Sequence, residues 1–153
     1  VDLRALNRGE IIATVGGIVL GISLILAWYH LHNQYARLNG CHGPDTTCSG
    51  WSSLAVMRFI FLLGAVAPVI LAWIIVRGHA LAWPRGELTA VVAVVVLILV
   101  LFRGVIDRPG SPGEEISLAF GWWVALAGGV LILIGSMWRS QEGAPRRKPP
   151  GVL

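Results

Sequence analysis

Four apolar runs dominate the chain: Ile11–Leu31, Leu54–Val76, Leu88–Ile106 and Ile116–Trp138, separated by short polar connections. A helix that crosses the hydrocarbon core of a bilayer needs about 20 mostly apolar residues, and each run is long enough. Backbone N–H and C=O groups inside lipid must be satisfied within the segment. The runs are continuous rather than alternating, so they predict helices and not barrel strands. Composition excludes a water-soluble domain of this size, with 56% hydrophobic residues, 13% charged residues and a mean hydropathy of +0.74. The expected fold is an all-α membrane protein, a four-transmembrane-helix bundle over residues 1–140. A basic, proline-rich tail over 141–153 is expected to be disordered and held loosely to anionic lipid. The first run is too long for a removed signal peptide and lacks its small-residue cleavage site, so it is expected to be retained.

Basic residues set the orientation, because Lys and Arg resist export across a membrane. Arg4 and Arg8 precede the first run, Arg77 and Arg85 lie between the second and third, and Arg139, Arg146, Arg147 and Lys148 follow the fourth. The opposite side carries only Arg37 and Arg108 in its loops. Both termini are therefore expected in the cytoplasm and the loops after the first and third runs outside. Trp28, Trp51, Trp73, Trp83 and Trp138 fall near the predicted helix ends, where an indole prefers the headgroup layer, and are expected as interface anchors. Eleven of the twelve basic residues are Arg, which suggests a bacterial genome rich in G and C, and hence a multi-pass protein of the bacterial inner membrane.

The first outer loop, residues 32–53, contains NGCHGPDTTCSGW, with both cysteines of the chain, Cys41 and Cys48, around His42 and Asp45. A metal site, a redox centre and a structural staple all use such residues. A zinc site wants four ligands at compatible positions. Redox catalysis usually shows C-x-x-C and a partner dithiol, whereas the spacing here is C-x6-C with no second pair. In an oxidising exterior the pair is expected as a disulfide, closing a short loop at a gain of about 2.5 kcal/mol on the chain-entropy account. Pro44 and the two glycines beside it read as a tight turn.

Helices in lipid associate through close packing and need small residues where their backbones approach. Ala13, Gly17 and Gly21 recur at steps of four in the first run, and Gly121, Ala125 and Gly129 do so in the fourth. These stripes are expected either to pack on one another or to serve an oligomer contact. The third run is apolar all round and reads as lipid-facing. Pro68 should kink the second run or free a carbonyl near Gly64. Arg58 and Arg103 lie about one turn inside the outer ends of the second and third runs, with Asp107 four residues after Arg103. Either they snorkel to phosphates, or they form an outer polar cluster in which Arg58 meets Asp107, Glu114 or Glu115. Trp122 and Trp123 suit the interfacial belt better than packing.

Four spans with both ends inside, a first outer loop with Trp and two Cys, and an Arg near the start of the second span resemble the claudin-like four-helix membrane proteins. Trp28, Cys41 and Cys48 match that family's W…C…C positions, with Arg58 in the place of its arginine. The resemblance implies a disulfide in the outer loop. The G-L-W element before the first cysteine is missing, Trp51 follows the second cysteine, and the loop reads as too short for the usual outer sheet. The stretch RGEIIATVGGIVLGISLILAWY is similar to the first span of small bacterial four-span proteins.

No Walker loop, G-x-S-x-G, H-E-x-x-H or paired carboxylates within one span nominate an enzyme. Neither cofactor nor metal is expected. No acidic residue falls in mid-membrane, which counts against a proton or cation transporter. The expected function is a non-catalytic scaffold or accessory subunit, with membrane lipid, copies of itself or other membrane subunits as partners and no nucleic acid. A small transporter or channel for an anionic or polar solute is the alternative. An outer-surface enzyme would need His30, His32, His42 or Asp45 to converge.

Overall fold

The computed structural model describes residues 6–78 and 85–142. Trp83, His79, Arg4 and the end of the tail from 143 to 153 lie outside the described residues. The element order is α1 (Arg8–Ile25), β1 (Ala27–Leu31), β2 (Arg37–Leu38), β3 (Cys41–His42), β4 (Thr46–Ser49), a single turn α2 (Gly50–Ser53) and α3 (Met57–Val76). Next come α4 (Arg85–Leu101), running on through a π-helical turn at Phe102–Ile106, then a 3-10 turn at Gly113–Glu115, β5 (Ile116–Leu118) and α5 (Phe120–Glu142). Four helices, α1, α3, α4 with its π turn, and α5, are long and apolar enough to cross a membrane, in keeping with a multi-pass membrane protein.

Two of the apolar runs, the first and the fourth, give residues to strands, and the fold is not all-α. Ala27–Leu31 leaves the helix and becomes the central strand of a three-stranded sheet in the order β4-β1-β5, and Ile116–Leu118 forms an edge strand of it. Leu, Trp and Tyr suit a buried strand as well as a spanning helix, so the apolar run did not mark the change of conformation. The first loop is long enough for a sheet because β1 is drawn from the end of the first run and β5 from the start of the fourth. Both flanking strands pair with β1 antiparallel, Tyr29 facing Cys48 on one side and Leu118 on the other.

α1 and α5 form the central pair, with α3 against α1 and α4 against α5. The α1–α5 seam runs through Gly9, Ala13, Gly16 and Leu20 on one side and Ala125, Gly128, Ile132 and Gly135 on the other. A Cβ built on Gly16 would lie 2.8 Å from Gly128 O and 2.7 Å from Ile132 N, so the two backbones touch and a larger residue has no room. This is a different seam from two straight four-step stripes. Each step of four advances about 40° past a full turn, so a four-step stripe winds off the contact. Ala13 and Ala125 stay on the seam, while Gly17 faces Ala65 and Pro68 of α3, and Gly21 is in ordinary contact with Ala65. Gly121 meets β1 at Ala27 and Trp28, and Gly129 meets Leu97 of α4.

The remaining contacts are narrower. Pro68 sits inside the helix α3 with its ring against Gly17, and Gly64 admits Val96 of α4. The third run is not lipid-facing all round: Thr89, Ala93, Val96 and Val100 are buried along one side. Facing outward are large apolar side chains such as Leu63 and Ile70 on α3 and Val91 and Ile98 on α4, as a lipid-covered surface requires.

At the end away from the sheet, the first turn of α1 meets the last turns of α5. Glu10 Oε2 accepts the Asn7 amide at 3.1 Å, and Glu10 Oε1 accepts Arg139 Nη2–H at 2.8 Å. Both side chains are buried, at 6% and 8% exposure. Glu10 lies outside the apolar run that starts at Ile11, whereas the helix starts at Arg8 and carries the carboxylate into the α1–α5 seam.

Candidate functional site at the sheet end

Trp28 joins the sheet to the bundle. β1 changes register between Ala27 and Tyr29, a bulge that lets two successive side chains turn inward instead of to opposite faces. Trp28 and Tyr29 are both fully buried. Trp28 Nε1–H donates to Ser23 O at 2.7 Å, and the ring packs edge-on against Phe61 of α3 at 5.4 Å. Gly50 and Gly121 line the ring's slot, where a Cβ would come within 2.6 Å and 2.8 Å of it. The Trp28 carbonyl accepts the Ala119 amide at 2.7 Å, fixing the entry to α5. Trp28 is therefore not an interface anchor: its indole N–H is satisfied within the protein, so the headgroup layer offers it nothing. Trp51, Trp73 and Trp138 are exposed.

Tyr29 performs the same function towards α4, its hydroxyl donating to Arg103 O at 3.0 Å. Burial pushes its phenol well above the ordinary tyrosine range, against the opposing pull of Arg103 and Arg108, so it remains a neutral donor. Trp122 also packs inward. Its Nε1–H donates to Val100 O at 2.9 Å beside the π turn, with the ring lying on Gly104, while Trp123 is exposed. Trp122 thus packs within the protein and not in the belt. Gly104 is the physical reason, since its bare backbone leaves a slot on α4.

Cys41 and Cys48 form a disulfide that ties β3 to β4, with Cα atoms 6.1 Å apart. Asn39-Gly40 makes the two-residue turn between β2 and β3, with Gly40 taking the positive φ of 81° that glycine adopts without strain. The β2–β3 hairpin is held to the second loop by two backbone hydrogen bonds between Arg37 and Ser111, at 3.0 and 3.1 Å. Between these loops lies a polar cleft of about 700 Å³, lined by Gln34, Arg37, Asn39, His42 and Ser111. Arg37 and His42 are cross-strand partners. The Arg37 guanidinium and the amides of Gln34 and Asn39 can hold an anionic or hydroxyl-rich surface group.

The outer arginines do not gather into one cluster. Arg103 Nη1 pairs with Asp107 Oδ2 at 2.8 Å, and its Nε–H points at Met57 Sδ at 3.2 Å. Arg58 meets none of the three carboxylates. Its guanidinium lies over the Trp51 and Phe59 rings at 5.1 and 4.9 Å and donates to Trp51 O at 3.4 Å, because the two aromatics flank it on the same face. Glu114 and Glu115 take part in neither ion pair found among the described residues. The cation that ties the second loop is Arg108, which donates to Gly104 O at 3.0 Å and to Ile116 O at 3.1 Å.

His30 on β1 and His32 just after it come together with ring centroids 4.5 Å apart, and His32 Nε2 lies 2.9 Å from Ser117 Oγ. Among the described residues no group of three or more His, Cys, Asp and Glu assembles as a metal-ligand set. Sequence reasoning missed the bulge at Trp28, the inward roles of Tyr29 and Trp122, and Arg108. The one available signal was Asn39-Gly40, which marks a hairpin. Comparison with protein-family models, curated proteins and solved structures finds no match for this chain.

Proposed function

We propose that the protein is a non-catalytic membrane scaffold or accessory subunit of claudin-like build. It sits in the inner membrane of a bacterium with both termini in the cytoplasm and the sheet outside. The observation that carries this reading is the construction of the sheet end. Strands from both loops, a disulfide and two buried aromatics fix a rigid platform to the bundle, and its polar cleft holds Arg37 and His42 outward. Rigid presentation of this kind suits recognition of a partner surface, because little ordering remains to oppose binding. Trp28 on the strand that follows the first helix, cysteines on consecutive strands and Arg58 in the first turn of α3 support the claudin-like build. The partner in this proposal is a second copy or a larger membrane complex.

The test is photo-crosslinking in the native host from a probe amino acid at Asn39, on the cleft, compared with one at Leu63, on the outer face of α3. A discrete product at Asn39, identified as the chain itself or as one membrane protein, is expected. A purified monomer that carries an anionic solute across liposomes, with no product from Asn39, would replace the scaffold by the transport alternative.

A further inference from the structure

At the end of the bundle away from the sheet, α1 and α3 leave an open groove of about 370 Å³ between them. Ile11, Thr14 and Val15 form one wall, and Ala72, Trp73 and Val76 the other. Among the described lining residues the one hydroxyl is already engaged, Thr14 Oγ1–H donating to Glu10 O at 2.7 Å, so their lining is apolar. Its mouth is cationic. The Arg77 guanidinium lies 4.4 Å above the Trp73 ring, and among the described residues it has no carboxylate partner. Arg8 is exposed three residues before Ile11, on the same side of α1. The nearby acid, Glu10, is turned into the seam and neutralised by Arg139.

We propose that this groove binds one acyl chain of an anionic phospholipid, with the phosphate held by Arg77. A guanidinium stacked on an indole keeps its N–H edge free, and that edge matches two phosphate oxygens. The volume also favours a single chain. A spanning helix, about 10 Å across and 30 Å long, occupies several times the space.

The test uses the full chain in mild detergent with equal amounts of phosphatidylglycerol and phosphatidylcholine, and native mass spectrometry to read the retained lipid. Phosphatidylglycerol should be retained in preference. Arg77→Gln should lower its retention about fivefold, the usual worth of one cation near an anionic headgroup, and leave phosphatidylcholine unchanged. Val15→Trp, which fills the groove, should lower retention of both. Equal retention of the two lipids, or a preference that survives Arg77→Gln, would overturn the proposal. So would a lipid-free dimer that Val15→Trp dissociates, because the occupant would then be a second copy. Should Val15→Trp fail to fold, the exposed Arg77 variant still decides the matter.

Discussion

The two ends of the bundle are closed by different physics. At the sheet end, closure is spread over ladder hydrogen bonds on both sides of β1, the Cys41–Cys48 disulfide, and the Trp28 and Tyr29 side chains. At the other end, among the described residues, the buried ion pair Glu10–Arg139 closes a seam of glycines. Distributed closure tolerates the loss of any one member, except the member through which the others reach the helices. Concentrated closure fails when the pair is broken, above all when Arg139 is removed, because the Glu10 carboxylate is then left buried without its cation.

Trp28→Ala should have the largest effect. A fully buried indole is lost together with its bond to Ser23, and about 5 kcal/mol, the upper part of the range for such truncations, is expected from reversible unfolding in bicelles. A loss under about 1 kcal/mol would show that the sheet holds to the bundle without this residue.

At the opposite end, Glu10→Ala or Arg139→Ala alone should cost about 3–4 kcal/mol, while Glu10→Leu with Arg139→Leu should recover most of it. Non-additivity is the sharper readout, since two independent losses that simply sum would mean the pair is not coupled. Replacing Cys41 and Cys48 by Ser should cost about 2.5 kcal/mol and leave the helices intact. Labelling without reductant should find neither thiol free in the unmodified chain. A full loss of fold in the serine variant would mean that closure at the sheet end is not distributed.

The helices were legible because apolar length is a one-dimensional signal, and the charge asymmetry and the cysteine pair are as well. Helix ends were not. Residues 27–31 and 116–118 are apolar in either conformation, and only pairing between segments distant in the chain makes them strands. The seam was half legible. Small residues are visible in the sequence, but which of them face a neighbour depends on a 3.6-residue period and on four helices at once, so Gly16, Gly128 and Gly135 lie off the strict steps of four. Arg58 stands in the first turn of α3, and its partners are the rings beside it, a choice made by local rotamers rather than by charge.

Tyr29→Phe gives the smallest effect and the finest probe of the sheet end. Removing its hydroxyl bond to Arg103 O should cost about 1 kcal/mol near neutral pH. The pH dependence carries more information. In the unfolded chain the phenol ionises near pH 10, whereas burial raises it in the folded protein. Above about pH 10 the unfolded state therefore binds fewer protons than the folded one, so stability falls as pH rises, by about 1.4 kcal/mol per pH unit from this group until the folded phenol ionises too. The phenylalanine variant lacks that slope, and the two stability curves should converge and then cross as alkali is added. Parallel curves up to pH 11 would mean that the phenol meets water before the protein unfolds. Sheet and helices would then separate first on the side of α4, and the sheet end would be the weaker of the two.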